Sequence, residues 1–238
     1  MTEALAAIAA ALQSDAEAVR VVSLNVANAQ TPAYRREIAL AHASFTDALD
    51  GLHPFSAPDL QSAVDVRAGT LKSTTGALDL AIEGKGFFVV GTAQGDRLTR
   101  RGDFRLDAEG RIVTQTGDVL LGVNGAITPG DLQPVISSDG TVRAGDTVVD
   151  KLRIVQIGSE ASLEPLGDGT YAMPEGEQAA VDASAVQVRQ GFLETSNVQP
   201  INETIQLMDA MRRFEMAQRF VRGYDSMVDQ AISTLGKI

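Results

Sequence analysis

Apolar residues recur every seven positions at both ends of the chain, and this repeat limits the fold more than any other feature. Toward the C-terminus, Leu207, Phe214, Val221, Val228 and Leu235 form one series, and Ala210, Ala217, Tyr224 and Ala231 follow its first four members by three positions. That is the a/d pattern of a helical seam. Near the N-terminus, Leu5, Leu12, Val19 and Val26 form a second series with Ile8 and Val22 at paired positions, and Asp15 interrupts the pairing. An aspartate in a seam is a weak spot or a register mark. A helix over residues 201–238 would be about 57 Å long at 1.5 Å per residue, more than a small domain can cover. Its apolar stripe therefore needs either the N-terminal helix, in an intramolecular hairpin, or another subunit. The expected fold class is α+β: long N- and C-terminal helices forming a coiled-coil layer, with a β-rich middle domain.

Charge is distributed to match. The net charge is −11, and residues 59–194 hold 20 acidic against 12 basic side chains, whereas residues 195–238 hold five of each. An acidic middle argues against nucleic acid as a partner, and near-neutral ends tolerate close helix packing. Cysteine is absent, which removes disulfides, thiolate metal sites and cysteine nucleophiles together. Glu3 stands where a secretory signal would carry Lys or Arg, and no segment approaches 18 uninterrupted apolar residues. A soluble chain without direct membrane insertion is expected, and if exported it leaves without a recognisable cleaved signal.

The first helix should end near Asn28, because Thr31-Pro32 follows and a proline pushes the residue before it out of the helical region. The segments expected are an N-terminal helix at 1–30, an extended crossing segment at 31–63 with one helical turn around Phe45 to Leu49, a β-rich domain at 64–194, and a C-terminal helix within 195–238. Phe87-Phe88-Val89-Val90 reads as a buried strand, Gly84-Lys85-Gly86 as a hairpin turn, and five further Gly-containing pairs as turns. Pro200 suits a first helical turn. Asn197 or Ser196 could cap this helix, with Glu203 placed favourably near its positive end.

No catalytic constellation emerges. His42 and His53 have no partners at metal-ligand or triad spacing. Asp103, Asp107 and Glu109 lack the ligand order of a calcium loop. Arg97, Arg100, Arg101 and Arg105 around Phe104 read as a solvated basic strand or as a contact to an acidic neighbour. Neither an enzyme, a metal site nor a cofactor is expected.

Ser23-Leu24-Asn25-Val26-Ala27-Asn28-Ala29-Gln30-Thr31-Pro32 resembles the N-terminal signature of bacterial flagellar rod and hook proteins. Gly191-Phe192-Leu193-Glu194-Thr195-Ser196-Asn197-Val198 resembles their C-terminal signature, and Leu78 to Phe88 and Leu98 to Phe104 are similar to their β-domain motifs. Asn25, Asn28, Thr31, Pro32, Ser196, Asn197 and Val198 are thus family-motif positions. Asn25 and Asn28 are either caps for the first helix or inter-subunit hydrogen-bond donors. Ala33 stands where the family commonly has glycine, and Leu98 where it commonly has tyrosine.

The resemblance implies a structural axial subunit of the basal-body rod that transmits torque from motor to hook. It implies export by the flagellar type III apparatus, and assembly with other rod subunits and its own copies into a helical tube. Chain length leaves the two larger rod subunits, and Arg213-Phe214-Glu215-Met216 is similar to the proximal one. A distal rod or hook-type subunit is the alternative, and in a different class a secreted β-domain enzyme or adhesin with a helical oligomerisation stalk. The assembly interface would be Leu5, Leu12, Val19, Val26, Leu207, Phe214, Val221, Tyr224, Val228 and Leu235.

Overall fold

The computed structural model describes residues 2–40, 61–130, 132–157, 163–173, 178–180 and 186–235. His42, His53 and the helical turn expected around Phe45 to Leu49 lie outside these residues. The chain divides into two compact units, one of residues 1–27, 37–63 and 199–238, the other of residues 28–36 and 64–198.

The first unit holds helix α1 (Thr2–Ala27), helix α2 (Pro200–Leu235) and a two-stranded ladder of β1 (Glu37–Leu40) with β2 (Gln61–Val64). α1 stops one residue before Asn28. α2 begins on Pro200, whose missing N–H costs nothing in a first turn, and the Glu203 amide donates to the Gln199 carbonyl at 3.0 Å. The helices pack antiparallel: Asn25 meets Glu203, and Asp15 accepts from Arg213 at 3.1 Å. Asp15 is thus an ion-paired position along the pair.

No coiled-coil layer forms. The described residues contain one N-terminal helix and one C-terminal helix, packed as a single pair, and a large β-rich middle. The reason lies in which residues turn inward. On α2 the least exposed positions are Glu203, Leu207, Ala210, Phe214, Ala217, Val221 and Tyr224, at the expected three-and-four spacing, with Gln218 beside them. On α1 they are Ala10, Val21, Val22 and Asn25, while Leu12, Val19 and Val26 of the heptad are only half-buried. A two-helix contact covers one stripe on each partner, and small Ala10 and Ala210 are among the buried residues of these stripes. The side chains of Leu5, Val228 and Leu235 lie outside the described ones.

The second unit is built of short strands. In order these are β3 (Leu71–Ser73), β4 (Leu80–Glu83), β5 (Phe87–Thr92), β6 (Gly95–Thr99), β7 (Arg105–Leu106), β8 (Ile112–Val113) and β9 (Val119–Leu120). They continue with β10 (Pro134–Ile136), β11 (Thr141–Ala144), β12 (Thr147–Lys151), β13 (Ile154–Ile157), β14 (Pro165–Gly167) and β15 (Thr170–Ala172). The last are β16 (Gln178–Ala180), β17 (Gln187–Gln190) and β18 (Phe192–Glu194). Nine strands form the main sheet, β14-β15-β6-β5-β9-β8-β7 with β13 and β16 joined to it through β5. β10-β11-β12 form a second sheet, and β17 pairs with β4 and β18 with β3.

β5 is central because both of its faces are apolar. Phe88 and Val90 enter one hydrophobic cluster with Leu80, Phe104, Ile112 and Leu120, whereas Phe87 and Val89 enter another with Leu98, Val155 and Tyr171. Alternation along a strand sends neighbours to opposite faces, so a continuous apolar run marks a strand covered on both sides. Phe88 meets Phe104 edge-on at 5.5 Å, and Phe87 meets Tyr171 edge-on at 5.8 Å. Gly84-Lys85-Gly86 is not a hairpin turn: it joins β4, paired with β17, to β5 in the main sheet, with Gly84 and Gly86 at φ 109° and 150°. It carries the chain from one sheet to another.

Gly102 lies against the Leu80 backbone, whose N–H donates to the Gly102 carbonyl at 2.9 Å. A Cβ there would sit 1.6 Å from the Leu80 carbonyl oxygen. Gly102→Ala is therefore expected to destabilise the β-rich unit by about 3 kcal/mol, at the upper end of overpacking costs. Urea unfolding monitored by far-UV circular dichroism would measure the loss.

Candidate functional site

Two polar constellations, one in each unit, involve the motif residues. In the helical unit, Asn25 is fully buried at the last turn of α1. Its Nδ2 donates to the Glu37 carbonyl at 2.8 Å and to Glu203 Oε2 at 3.2 Å, and its Oδ1 accepts from the Glu37 amide at 2.9 Å. It therefore neither caps its own helix nor offers a donor to solvent. It pins the start of β1 and the first turn of α2 to the end of α1. Glu203, 1% exposed, gains from this donor and from its place near the positive end of α2.

In the β-rich unit, residues 28–36 open with a turn in which the Asn28 carbonyl accepts from the Thr31 amide at 3.0 Å and Asn28 Oδ1 from the Thr31 hydroxyl at 3.1 Å. Pro32 is half-buried and Ala33 is buried. Ala33 holds φ 54°, so the left-handed turn is made without glycine, and its amide donates to the Glu194 carbonyl at 2.8 Å. The Asn197 amide donates to the Tyr34 carbonyl at 3.3 Å. Asn197 Oδ1 accepts from the Arg36 amide at 2.7 Å, and its Nδ2 donates to the carbonyls of Asp65 and Arg67 at 2.9 and 2.8 Å. Asn197 thus staples three backbone segments and does not cap α2. Ser196 Oγ accepts from the Val198 amide at 3.1 Å within its own turn, and Val198 is buried.

Beside this staple lies a buried charge cluster that the sequence reading missed. Glu194, 3% exposed, pairs with Arg35 Nη2 at 3.0 Å and faces Arg100 Nε at 3.8 Å, and its Oε1 accepts from the Gly69 amide at 3.0 Å. Arg35 Nη1 also donates to the carbonyls of Val66 and Arg67. Arg100 donates to the carbonyls of Ile82 and Gly84 at 3.3 and 2.6 Å and lies 5.5 Å from the centre of the Phe87 ring. Two guanidinium groups and an amide offset the desolvation of one carboxylate, which is the condition under which a buried charge is tolerated. The basic stretch is therefore not uniformly solvated: Arg105 is exposed and Arg97 half-buried, but Arg100 is buried and Arg101 pairs with Asp103 at 2.8 Å.

Asp65 closes the edge of the staple. Hydrogen bonds from Arg67 to both of its oxygens hold the carboxyl below its ordinary range, against desolvation that opposes them. The contribution of this group to stability is present above the unfolded-state pKa and is lost as pH falls through the lowered folded value.

Of the interface positions expected from the sequence, Leu12, Val19, Val26, Leu207, Phe214, Val221 and Tyr224 are all half-buried on the helices. The structure brings Asn25 and Glu203 together, and within the other unit Tyr34, Arg36 and Asn197. The arrangement is one of fastening: Asn197 and Arg35 hold backbone carbonyls and amides, Glu194 holds two guanidinium groups, Asn25 and Glu203 hold one another, and Arg100 Nε faces Glu194 only at ion-pair distance.

A domain family described as "Flagellar hook protein FlgE/F/G D1 domain" matches residues 81–144, and one described as "Flagellar basal body rod FlgEFG protein C-terminal" matches residues 189–234. The flagellar basal-body rod protein FlgF of Caulobacter vibrioides is 33% identical over 227 residues, covering 92% of this chain and 91% of that protein. The chain belongs to the flagellar basal-body rod protein family. The rod protein FlgG of Agrobacterium fabrum is 30% identical over 256 residues, covering 94% of this chain and 96% of that protein. FlgF of Salmonella typhimurium is 28% identical over 218 residues, covering 86% and 87%. The chain is FlgF-like, and it is a structural subunit of the basal-body rod. Arg100 falls inside the first matched region and Glu194, Asn197 and Glu203 inside the second.

Two substitutions probe the fastening in opposite directions. Glu194→Ala removes the carboxylate facing two buried guanidinium groups and is expected to cost on the order of 3–5 kcal/mol. Ala33→Gly relieves about 1–2 kcal/mol of left-handed strain against about 0.5–1 kcal/mol of added unfolded-chain entropy. A net gain of about 0.5–1 kcal/mol is expected. Denaturant titration of both variants beside the parent chain measures each sign.

Proposed function

We propose that this rod subunit assembles with its own copies and with other rod subunits through its terminal helices, and that the assembled helices transmit torque from motor to hook. One observation carries the reading: α2 is apolar on two sides. Leu207, Ala210, Phe214, Ala217 and Val221 turn toward α1, while Ile201, Ile205, Met208, Met216, Phe220 and Met227 are exposed. At 3.6 residues per turn these two sets fall on roughly opposite faces of the helix. A helix with apolar residues facing away from the helix it packs on is built to be covered from a second side.

Half-exposed Ile, Met and Phe side chains gain about 1 kcal/mol each on full burial, so the outer stripe holds on the order of 5–10 kcal/mol before the entropy of association is subtracted. The half-buried Leu12, Val19 and Val26 of α1 add apolar area to such an interface. Dense helix packing supplies the stiffness that torque demands, since interiors packed to crystal density transmit strain. Delivery by the flagellar type III export apparatus completes the reading. FlgF-like sequence supports the proximal rod, and the match to FlgG over 94% of the chain supports a second placement in the distal rod.

Phe220 tests the outer stripe without touching the helix pair, because its side chain is already 61% exposed. Phe220→Lys is expected to leave thermal unfolding of the monomer within about 0.5 kcal/mol of the parent. The same change should raise the critical concentration for polymerisation about 10- to 100-fold. Light scattering and electron microscopy read the second quantity. Normal rods in a strain carrying Phe220→Lys would remove the outer stripe from the mechanism.

A further inference from the structure

Sulfur in this chain is all thioether, because there is no cysteine, and four of its six methionines lie on α2. They are sorted by face. Met208, Met216 and Met227 stand in the outer stripe with exposures of 51%, 61% and 64%, and Met211, 49% exposed, lies at the margin between that stripe and the one turned toward α1. The stripe turned toward α1 contains none. Burial alone does not require this choice, since leucine has the same helix preference and comparable volume. Methionine adds a chemistry that leucine lacks. Its thioether accepts an oxygen atom and becomes a polar sulfoxide, and that change disrupts apolar contacts.

We propose that Met208, Met216 and Met227 are a peroxide-sensitive modification site of the unassembled subunit, and that their oxidation blocks entry into the rod. The co-reactant is hydrogen peroxide. The thioether sulfur attacks one peroxide oxygen, the O–O bond breaks as the S–O bond forms, and the second oxygen leaves as water after proton transfer. Sulfur is oxidised by two electrons and peroxide is reduced by two. Each sulfoxide places an S–O dipole on a face that assembly would remove from water, where an unmatched polar group is disfavoured. The inference rests on the outer stripe being an assembly face. Once assembled, the same sulfurs are covered, so the window for modification closes on incorporation. Met173, half-buried against the β-rich core, is the internal reference.

The test uses the full-length chain exposed to hydrogen peroxide before or after polymerisation. Peptide mass mapping locates added oxygen, circular dichroism follows the fold, and light scattering follows assembly. In free chains, Met208, Met216 and Met227 are expected to oxidise several-fold faster than Met173, and in polymers they are expected to be protected. Oxidised free chains should keep their helix content, show a critical concentration raised about tenfold or more, and recover after treatment with methionine sulfoxide reductases. The triple variant Met208→Leu, Met216→Leu, Met227→Leu should assemble with or without peroxide. Unimpaired assembly of oxidised parent chain, equal loss in the triple variant, or equal oxidation of Met173 would each overturn the proposal. Normal polymerisation of Phe220→Lys would instead show that the assembly face itself was misplaced.

Discussion

A carboxylate taken out of water has to be met by positive charge and hydrogen-bond donors, and the β-rich unit is organised around one that is. Glu194 ends β18, is met by Arg35, Arg100 and the Gly69 amide, and through its own carbonyl accepts from Ala33. Those partners come from three stretches of chain that are distant in sequence, around residues 33–35, 69 and 100. The arginines in turn donate to carbonyls of Val66, Arg67, Ile82 and Gly84, which would otherwise be hard to satisfy where strands end. Such a cluster is costly to break and adds little net stability over an apolar substitute. What it provides is a single permitted arrangement of the segments it joins. Asn197 does the same with neutral groups, matching an amide and two carbonyls with one side chain.

The helical unit follows a related logic with fewer polar groups. Asn25 and Glu203 are buried together near one end of the pair, and Asp15 with Arg213 marks the register farther along. Between these points small and medium apolar side chains make the contact. The exposed ion pairs along α2, such as Arg219 with Glu215 at 3.6 Å, contribute little to stability and keep the rest of the surface hydrated. The outer face is left neither fully polar nor covered. That combination is what the proposed assembly through the terminal helices would use.

Several parts of this structure were legible in the residues. Thr31-Pro32 and Pro200 bound the helices because proline acts on its own backbone and its neighbour's, without help from the rest of the fold. The run from Phe87 to Val90 identified a buried strand, and the structure covers both of its faces. The heptads located both helices but not their inner face on α1, since a heptad counts apolar positions and does not say how many partners will cover them. Counting only that repeat also hid the second apolar face of α2, whose members are spaced less regularly.

By itself the sequence determined that a helix lies toward each end with proline at its boundary, that the middle is β-rich with a buried strand at Phe87 to Val90, and which family the chain joins, because proline geometry, periodicity and ordered motifs act over a few residues. Only the tertiary structure decided that the helices form one pair in place of a layer, that Gly84 to Gly86 links two sheets, and that Arg35, Arg100, Glu194 and Glu203 are buried. Burial of a charge depends on partners supplied from far along the chain. Nothing in the local pattern around Arg100 distinguishes it from its hydrated neighbours until the strand carrying Glu194 is folded against it.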